Sequence, residues 1–294
     1  MKAVAHNLYP FEPHFLQLRA ALRMHYVDEG QGPVVLMVHG NPSWSFYYRN
    51  LIKALSGTHR CIAPDHIGMG KSDKPSDANY AYTLAQRVDD LQTLVDSLQL
   101  TGPLTLVVHD WGGMIGMAWA VRHPERVKNL VILNTAAFGL PAGKRLPWQL
   151  KLTRTPLGVV LVRGFNAFAR GAAQIGCSRT PMPADVLQGY LAPYDSWANR
   201  IATLRFVQDI PLQEGAAGFE LVQETAAQLH LFSQTPMLIV WGERDVVFDH
   251  HFRREWQRRF PAAQVESLAD AGHYVLEDAA EQVTARIAAF VRNG

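Results

Sequence analysis

The chain has 294 residues, 48% of them apolar and only 18% charged, a balance that argues for a compact globule and against disorder. A mean hydropathy of -0.06, with no apolar run of about 18 residues, argues against a membrane-spanning protein. The 28 Lys and Arg against 26 Asp and Glu leave a net charge of +2, too small to mark a binder of nucleic acid or anionic lipid.

Only two cysteines occur, Cys61 and Cys177, in unrelated contexts, so neither a disulfide framework nor a zinc site is expected. The N-terminal stretch MKAVAHNLYPFEPHF lacks the apolar core of a signal peptide. Both features predict a cytoplasmic protein.

Short β-branched runs at residues 34–38, 61–63, 104–108, 130–133 and 237–240 predict fully buried strands. Between them, residues 84–98 carry apolar side chains at helical spacing, and 113–121 follow a glycine pair with the same period. This alternation predicts an α/β fold, with a mostly parallel central sheet covered by helices on both faces. From 138 to 212 the strand signal stops, and aromatic, Pro and Arg residues interleave with short helical stretches such as 158–169. That segment predicts a helical cap inserted over the carboxyl ends of the strands, with 1–137 and 213–294 forming the core. The Arg-rich run 250–260 predicts a solvated helix face.

The segment LTLVVHDWGGMIG (104–116) leads a buried strand through a glycine-assisted turn into a helix, the context of a nucleophile elbow. Where that elbow usually carries Ser, this chain has Asp110, and Val108 replaces the elbow's first small residue. A carboxylate there meets helix N-terminal N–H groups that favour its ionised form, and an anionic Asp can attack carbon directly. The alternative is that Asp110 only caps the following helix. The segment VHGNPSW (38–44) follows the first strong strand, where Asn41 offers side-chain donors or merely belongs to a Gly-Asn-Pro turn. After the late strands come Asp245, in WGERD, and His273, in DAGHY. Nucleophile, acid, then histidine is a chain order known for catalytic triads.

These blocks resemble the α/β-hydrolase fold and, within it, the haloalkane dehalogenase superfamily: HGNPSWSFYYR (39–49), PDHIGMGKSDKP (64–75), VVHDWGGMIG (107–116), WGERD (241–245) and AGHYVLED (271–278). The resemblance implies that Asp110 is the nucleophile, His273 the base and Asp245 the acid that orients it. It also implies that Asn41 and the Trp111 indole hold the leaving group. An Asn and Trp donor pair with the acid after the late strand is the pattern of the family's third subfamily; Asn134-Thr-Ala-Ala after the preceding strand supplies no acid. Cap segments LVRGFNAF (161–168), MPADV (182–186), APYDSWANRI (192–201) and RFVQDIPL (205–212) are similar to the β-lactone decarboxylases of olefin biosynthesis in that subfamily.

The activity so implied is conversion of a cis-3-alkyl-4-alkyloxetan-2-one to a long-chain cis-alkene and carbon dioxide, with no cofactor and no metal. Attack of Asp110 on the ring carbon that bears oxygen, or on the lactone carbonyl, are competing first steps. The alternative activity is haloalkane dehalogenation through an aspartyl ester. An epoxide hydrolase would need paired cap tyrosines, for which Tyr190 and Tyr194 offer themselves, and a non-catalytic receptor on the same fold is a further alternative. The implied partner is a hydrophobic small molecule, with assembly alongside the enzymes that make the lactone.

Overall fold

The five apolar runs form the middle of one sheet in the computed structural model, which describes residues 4–19 and 22–293. Residues 1–3, at the head of the stretch read as lacking a leader, lie outside the described residues. Among the latter the sheet has eight strands: β1 (His14–Arg19), β2 (Leu22–Glu29), β3 (Val34–Val38), β4 (Arg60–Pro64), β5 (Leu104–Asp110), β6 (Val127–Thr135), β7 (Met237–Gly242) and β8 (Gln264–Leu268). Their spatial order is β1-β2-β4-β3-β5-β6-β7-β8. Strands β3 to β8 run parallel, and the β1–β2 hairpin joins the edge antiparallel to β4.

Every residue of β5 and β7 is buried, as a sheet covered on both faces requires. The strand period of two then divides the core. Leu36, Val38, Leu106, Val108 and Ile132 face one apolar layer, while Val35, Met37, Val107, Val131 and Leu133 face the other. Helices α2 (Leu84–Ser97) and α3 (Trp111–Ala120) cover the first face; α1 (Arg49–Leu55) and α12 (Ala280–Asn293) cover the second. Thr83 caps α2 by accepting from the Gln86 N–H.

No strand interrupts the chain between β6 and β7 among the described residues. That stretch holds α4 (Trp148–Leu152), α5 (Pro156–Val159), α6 (Ala167–Ile175), α7 (Ala184–Leu191), α8 (Ile201–Gln208) and α9 (Phe219–Gln228). The helix expected over 158–169 is split: α5 runs into a π turn (Val160–Gly164), and Asn166, at φ 56°, breaks the path before α6. Asn tolerates that left-handed conformation better than most residues, and no apolar periodicity reports such a break. Side chains tie the helices to the core loops. The Trp44 indole donates to Gly189 O (3.1 Å), Tyr194 OH to Ser43 O (3.3 Å) and the buried Arg87 to Asp209 (2.7 Å).

After β7 come α10 (His250–Arg259) and, following β8, α11 (Val275–Asp278). The Arg-rich α10 buries Phe252 and Trp256 and turns Arg258 outward, as its pattern predicts. No helix among the described residues is long and apolar enough to cross a membrane.

Candidate active site

Strand β5 ends at Asp110, whose backbone has φ 52° and ψ −128°, a conformation costly for an acidic residue unless its surroundings impose it. They do so by close approach. A Cβ on Gly40 would overlap the Asp110 carboxylate, and one on Gly112 would overlap Val38 O. The Thr135 hydroxyl donates to Asp110 O and fixes the turn from the β6 side. The Asp110 side chain does not cap α3. Its Oδ1 accepts the Asn41 backbone N–H at 2.6 Å, and its Oδ2 lies 3.5 Å from His273 Nε2. Burial raises the pKa of Asp110, outweighing the opposing pull of His273 and of the Asn41 and Trp111 N–H groups. The helix-terminus effect that the sequence predicts is present but does not win.

His273 Nδ1 donates to Asp245 Oδ2 at 2.6 Å. Asp245 Oδ1 accepts from Val247 N (2.8 Å) and Phe248 N (3.0 Å), so its loop is locked around the carboxylate. Burial works against protonation of His273, but Asp245 and Asp110 outweigh it and raise the pKa. The three sequence-predicted groups Asp110, His273 and Asp245 thus form one continuous polar chain.

The roles of three neighbours escape the sequence analysis. Asn134, at the end of β6 with φ 29°, donates from Nδ2 to Asp245 Oδ2 (3.0 Å) and Gly242 O (3.0 Å), and accepts the Gly242 N–H (2.8 Å). His109 donates from Nε2 to His273 O (3.0 Å) and stacks on Tyr47 at 4.2 Å. Burial and the adjacent His273 hold the His109 pKa well below its usual value, so it acts as a neutral brace. The Phe248 ring stacks on His273, 5.9 Å away and 14° from parallel.

Asp110 and Trp111 face a cavity of about 110 Å³. Its walls are mostly apolar, with Lys144 among them: Met114 from α3, Phe138 and Leu150 from the stretch after β6, Val222 from α9, and Phe248 beyond β7. Arg87 lies 5.3 Å from the Trp111 ring, and Phe206 meets it edge-on at 5.5 Å. No hydrogen-bond partner occupies the Trp111 indole N–H among the described residues. Asn41 differs from expectation. It does not line the cavity, and its Nδ2 donates to Thr203 O on α8 at 3.0 Å, which leaves one amide hydrogen for a ligand.

Tyr190 and Tyr194 do not provide the paired donors an epoxide hydrolase needs. Both are buried away from the cavity; Tyr190 OH donates to Glu277 Oε1 (2.6 Å), itself paired with Arg49, and Tyr194 OH donates to Ser43 O. Asp249, His250 and His251 bring three ligand atoms within 4.8 Å of one another, but Lys144 Nζ already holds Asp249 at 2.8 Å.

Comparison with known proteins places this geometry. The family described as the alpha/beta hydrolase fold matches residues 33–280. The chain is 57% identical over 286 residues to a cis-3-alkyl-4-alkyloxetan-2-one decarboxylase from Shewanella oneidensis, covering 97% of this chain and 90% of that protein. It is 51% identical over 291 residues to a protein of the same name from Xanthomonas campestris pv. campestris, covering 96% and 97%. The crystal structure of a haloalkane dehalogenase from Bradyrhizobium elkani superposes with a TM-score of 0.84 at 26% identity, over 96% of this chain and 98% of that one. The chain therefore belongs to the α/β-hydrolase fold family, within the haloalkane dehalogenase superfamily.

Proposed function

We propose that the protein is a β-lactone decarboxylase that converts a cis-3-alkyl-4-alkyloxetan-2-one to a cis-alkene and carbon dioxide. Asp110 is its nucleophile, Asp245 orients His273, and Asn41 and Trp111 hold the departing carboxylate. The observation that carries this reading is a carboxylate fixed at an elbow and facing an apolar cavity, in a chain similar along its length to two proteins named for that reaction.

A carboxylate nucleophile has no proton to lose, so the first step needs no base. Asp110 attacks the ring carbon that bears oxygen, the carbon–oxygen bond breaks, and a free carboxylate forms with inversion at that carbon. The new ester oxygen stands anti to the carboxylate. Loss of carbon dioxide passes its bonding pair into the new double bond and expels Asp110, so inversion followed by anti elimination gives the cis alkene and regenerates the enzyme. The unpartnered Trp111 N–H at the cavity wall supplies a donor where that carboxylate charge develops, and the second Asn41 amide hydrogen, set behind Asp110 rather than on the wall, adds to it once the substrate reaches that depth. His273, held close to Asp110, balances the charge on the aspartate as it leaves.

In the same reading, residues 138–212 are the cap that selects the substrate and 1–137 with 213–294 are the core. The protein works in the cytoplasm beside the enzymes that make the lactone, which shortens the path of an oily, reactive intermediate. Haloalkane hydrolysis is the second reading, supported by the likeness to a solved dehalogenase. One preparation assayed in oxygen-18 water against a cis-disubstituted β-lactone and a haloalkane panel separates the two. Alkene and carbon dioxide without labelled alcohol are expected; labelled alcohol and halide from a haloalkane, with no alkene from the lactone, would overturn the proposal.

A further inference from the structure

The net charge of +2 conceals an uneven distribution. Residues 138–212 carry nine Lys or Arg and three Asp or Glu, a formal +6, while the other 19 basic and 23 acidic residues leave −4 elsewhere. Lys144, Arg179 and Arg205 pair with Asp249, Asp270 and Asp77 outside the segment, and Asp209 pairs with Arg87, so the segment stays positive by a smaller margin. The same segment is where apolar surface is exposed. Among the described residues, eight of the twelve large apolar side chains with high exposure fall in this quarter of the chain, led by Trp148 at 68%, Phe165 at 67% and Leu157 at 60%. Soluble monomers seldom concentrate such residues without a use for them.

Part of this surface is demonstrably continuous. Leu157 and Val160 lie one helical turn apart, and the Val160 and Trp197 side chains both pack around Gly164, which Phe165 follows. The Arg163 guanidinium lies 4.8 Å from the Trp197 ring centre. Arg145, Lys151 and Arg170, exposed in the same part of the chain, have no carboxylate partner among the described residues. Two other exposed residues of the segment adjoin the cavity: Leu140 lines it while 44% exposed, and Trp148 lies in sequence between its lining residues Pro147 and Leu150.

We propose that this face docks on an anionic lipid surface, placing the cavity mouth against the membrane. Exposed Trp, Phe and Leu flanked by unpaired Lys and Arg match a bilayer interface, where rings enter the headgroup boundary and cations meet anionic headgroups. The balance of the whole chain predicts no lipid binding, because the acidic remainder cancels a basic face that acts locally. The inference goes beyond the proposed reaction and does not depend on it: a lipid surface collects any apolar ligand that the cavity accepts.

Sedimentation with vesicles of phosphatidylcholine alone, and of phosphatidylcholine with phosphatidylglycerol, tests this without a substrate, so its failure is distinct from failure of the decarboxylase reading. Binding is expected to the phosphatidylglycerol vesicles, roughly tenfold or more above phosphatidylcholine alone, and to fall as salt rises. The pair Leu157→Ser with Phe165→Ser and, separately, Lys151→Glu with Arg170→Glu each weaken it by a similar factor; all four side chains are exposed and outside the cavity, so the fold and the turnover of a short-chain substrate are retained. Absence of vesicle binding, or binding unchanged in both pairs, overturns the proposal. So does self-association in sedimentation velocity that Phe165→Ser abolishes in a chain that ignores vesicles, which would assign the face to a second copy.

Discussion

Replacing Asn134 by Ala isolates the one buried amide that joins β6 to the Asp245 loop. The side chain is fully buried and makes three hydrogen bonds, to Asp245 Oδ2, Gly242 O and Gly242 N. Ala strands the Gly242 N–H at a cost of about 1–3 kcal/mol, and removes one charge-assisted bond of about 1.5–3 kcal/mol from Asp245. Ala also fits the φ of 29° less well than Asn, adding about 1 kcal/mol. With overlap between these costs, a loss of roughly 4 kcal/mol is expected, which lowers Tm by roughly 8–15 °C for a chain of this size. Asp245 keeps the Val247 and Phe248 N–H groups and His273, so kcat falls only about tenfold. Thermal unfolding followed by circular dichroism, with kcat measured on the same samples, checks both numbers. A Tm within 2 °C of the parent would refute the role given to this amide. Asn134→Asp sharpens the test by setting a second carboxyl beside Asp245. Its folded-state pKa is raised above the unfolded value, so stability is retained at low pH and lost as pH rises through the raised pKa. Greater stability at high pH would contradict the geometry.

Two further outcomes follow from the site. Tyr190→Phe removes a hydroxyl that donates to Glu277 outside the cavity, so it costs about 1–2 kcal/mol in a denaturant melt and leaves kcat within about twofold; a hundredfold loss of activity would place the hydroxyl in the reaction. Burial raises the Asp110 pKa, and the proposed reaction needs Asp110 ionised, so kcat/KM for the lactone falls in acid at a pH above the ordinary carboxylate range. Because His273 has a raised pKa and need not be neutral in this reaction, the profile stays flat through neutrality; a fall that begins above the usual histidine range would mean that a neutral His273 activates water, as in hydrolysis.

Strands β3 to β7 are legible because burial on both faces forces unbroken apolar runs. Strands β1, β2 and β8 are not; β2 is interrupted by exposed Arg23 and ends half-buried. In β1 buried and exposed positions alternate, and in β8 only Leu268 is buried, so neither yields such a run. Asp110, Asp245 and His273 are legible because each sits in a turn with its own local signature. Asn134 and His109 act through partners 111 and 164 residues away, and no local pattern reports such contacts. Tyr190 and Tyr194 illustrate the opposite error: two tyrosines between β6 and β7 satisfy a spacing, but the Tyr190 hydroxyl ties α7 to Glu277 and the Tyr194 hydroxyl, beyond α7, ties its loop to Ser43 O.

Asn41 spans two parts of the fold, its backbone N–H on the Asp110 carboxylate and its side-chain amide on Thr203 of α8. The stretch between β6 and β7 is therefore not interchangeable as a unit. A segment grafted from a relative with a different helix register at position 203 would release or redirect the Asn41 amide even if every core residue were kept. Under the proposed function, substrate preference and the electrostatics of bond breaking are inherited together, and the freedom to exchange one without retuning the other ends at the α8 carbonyl.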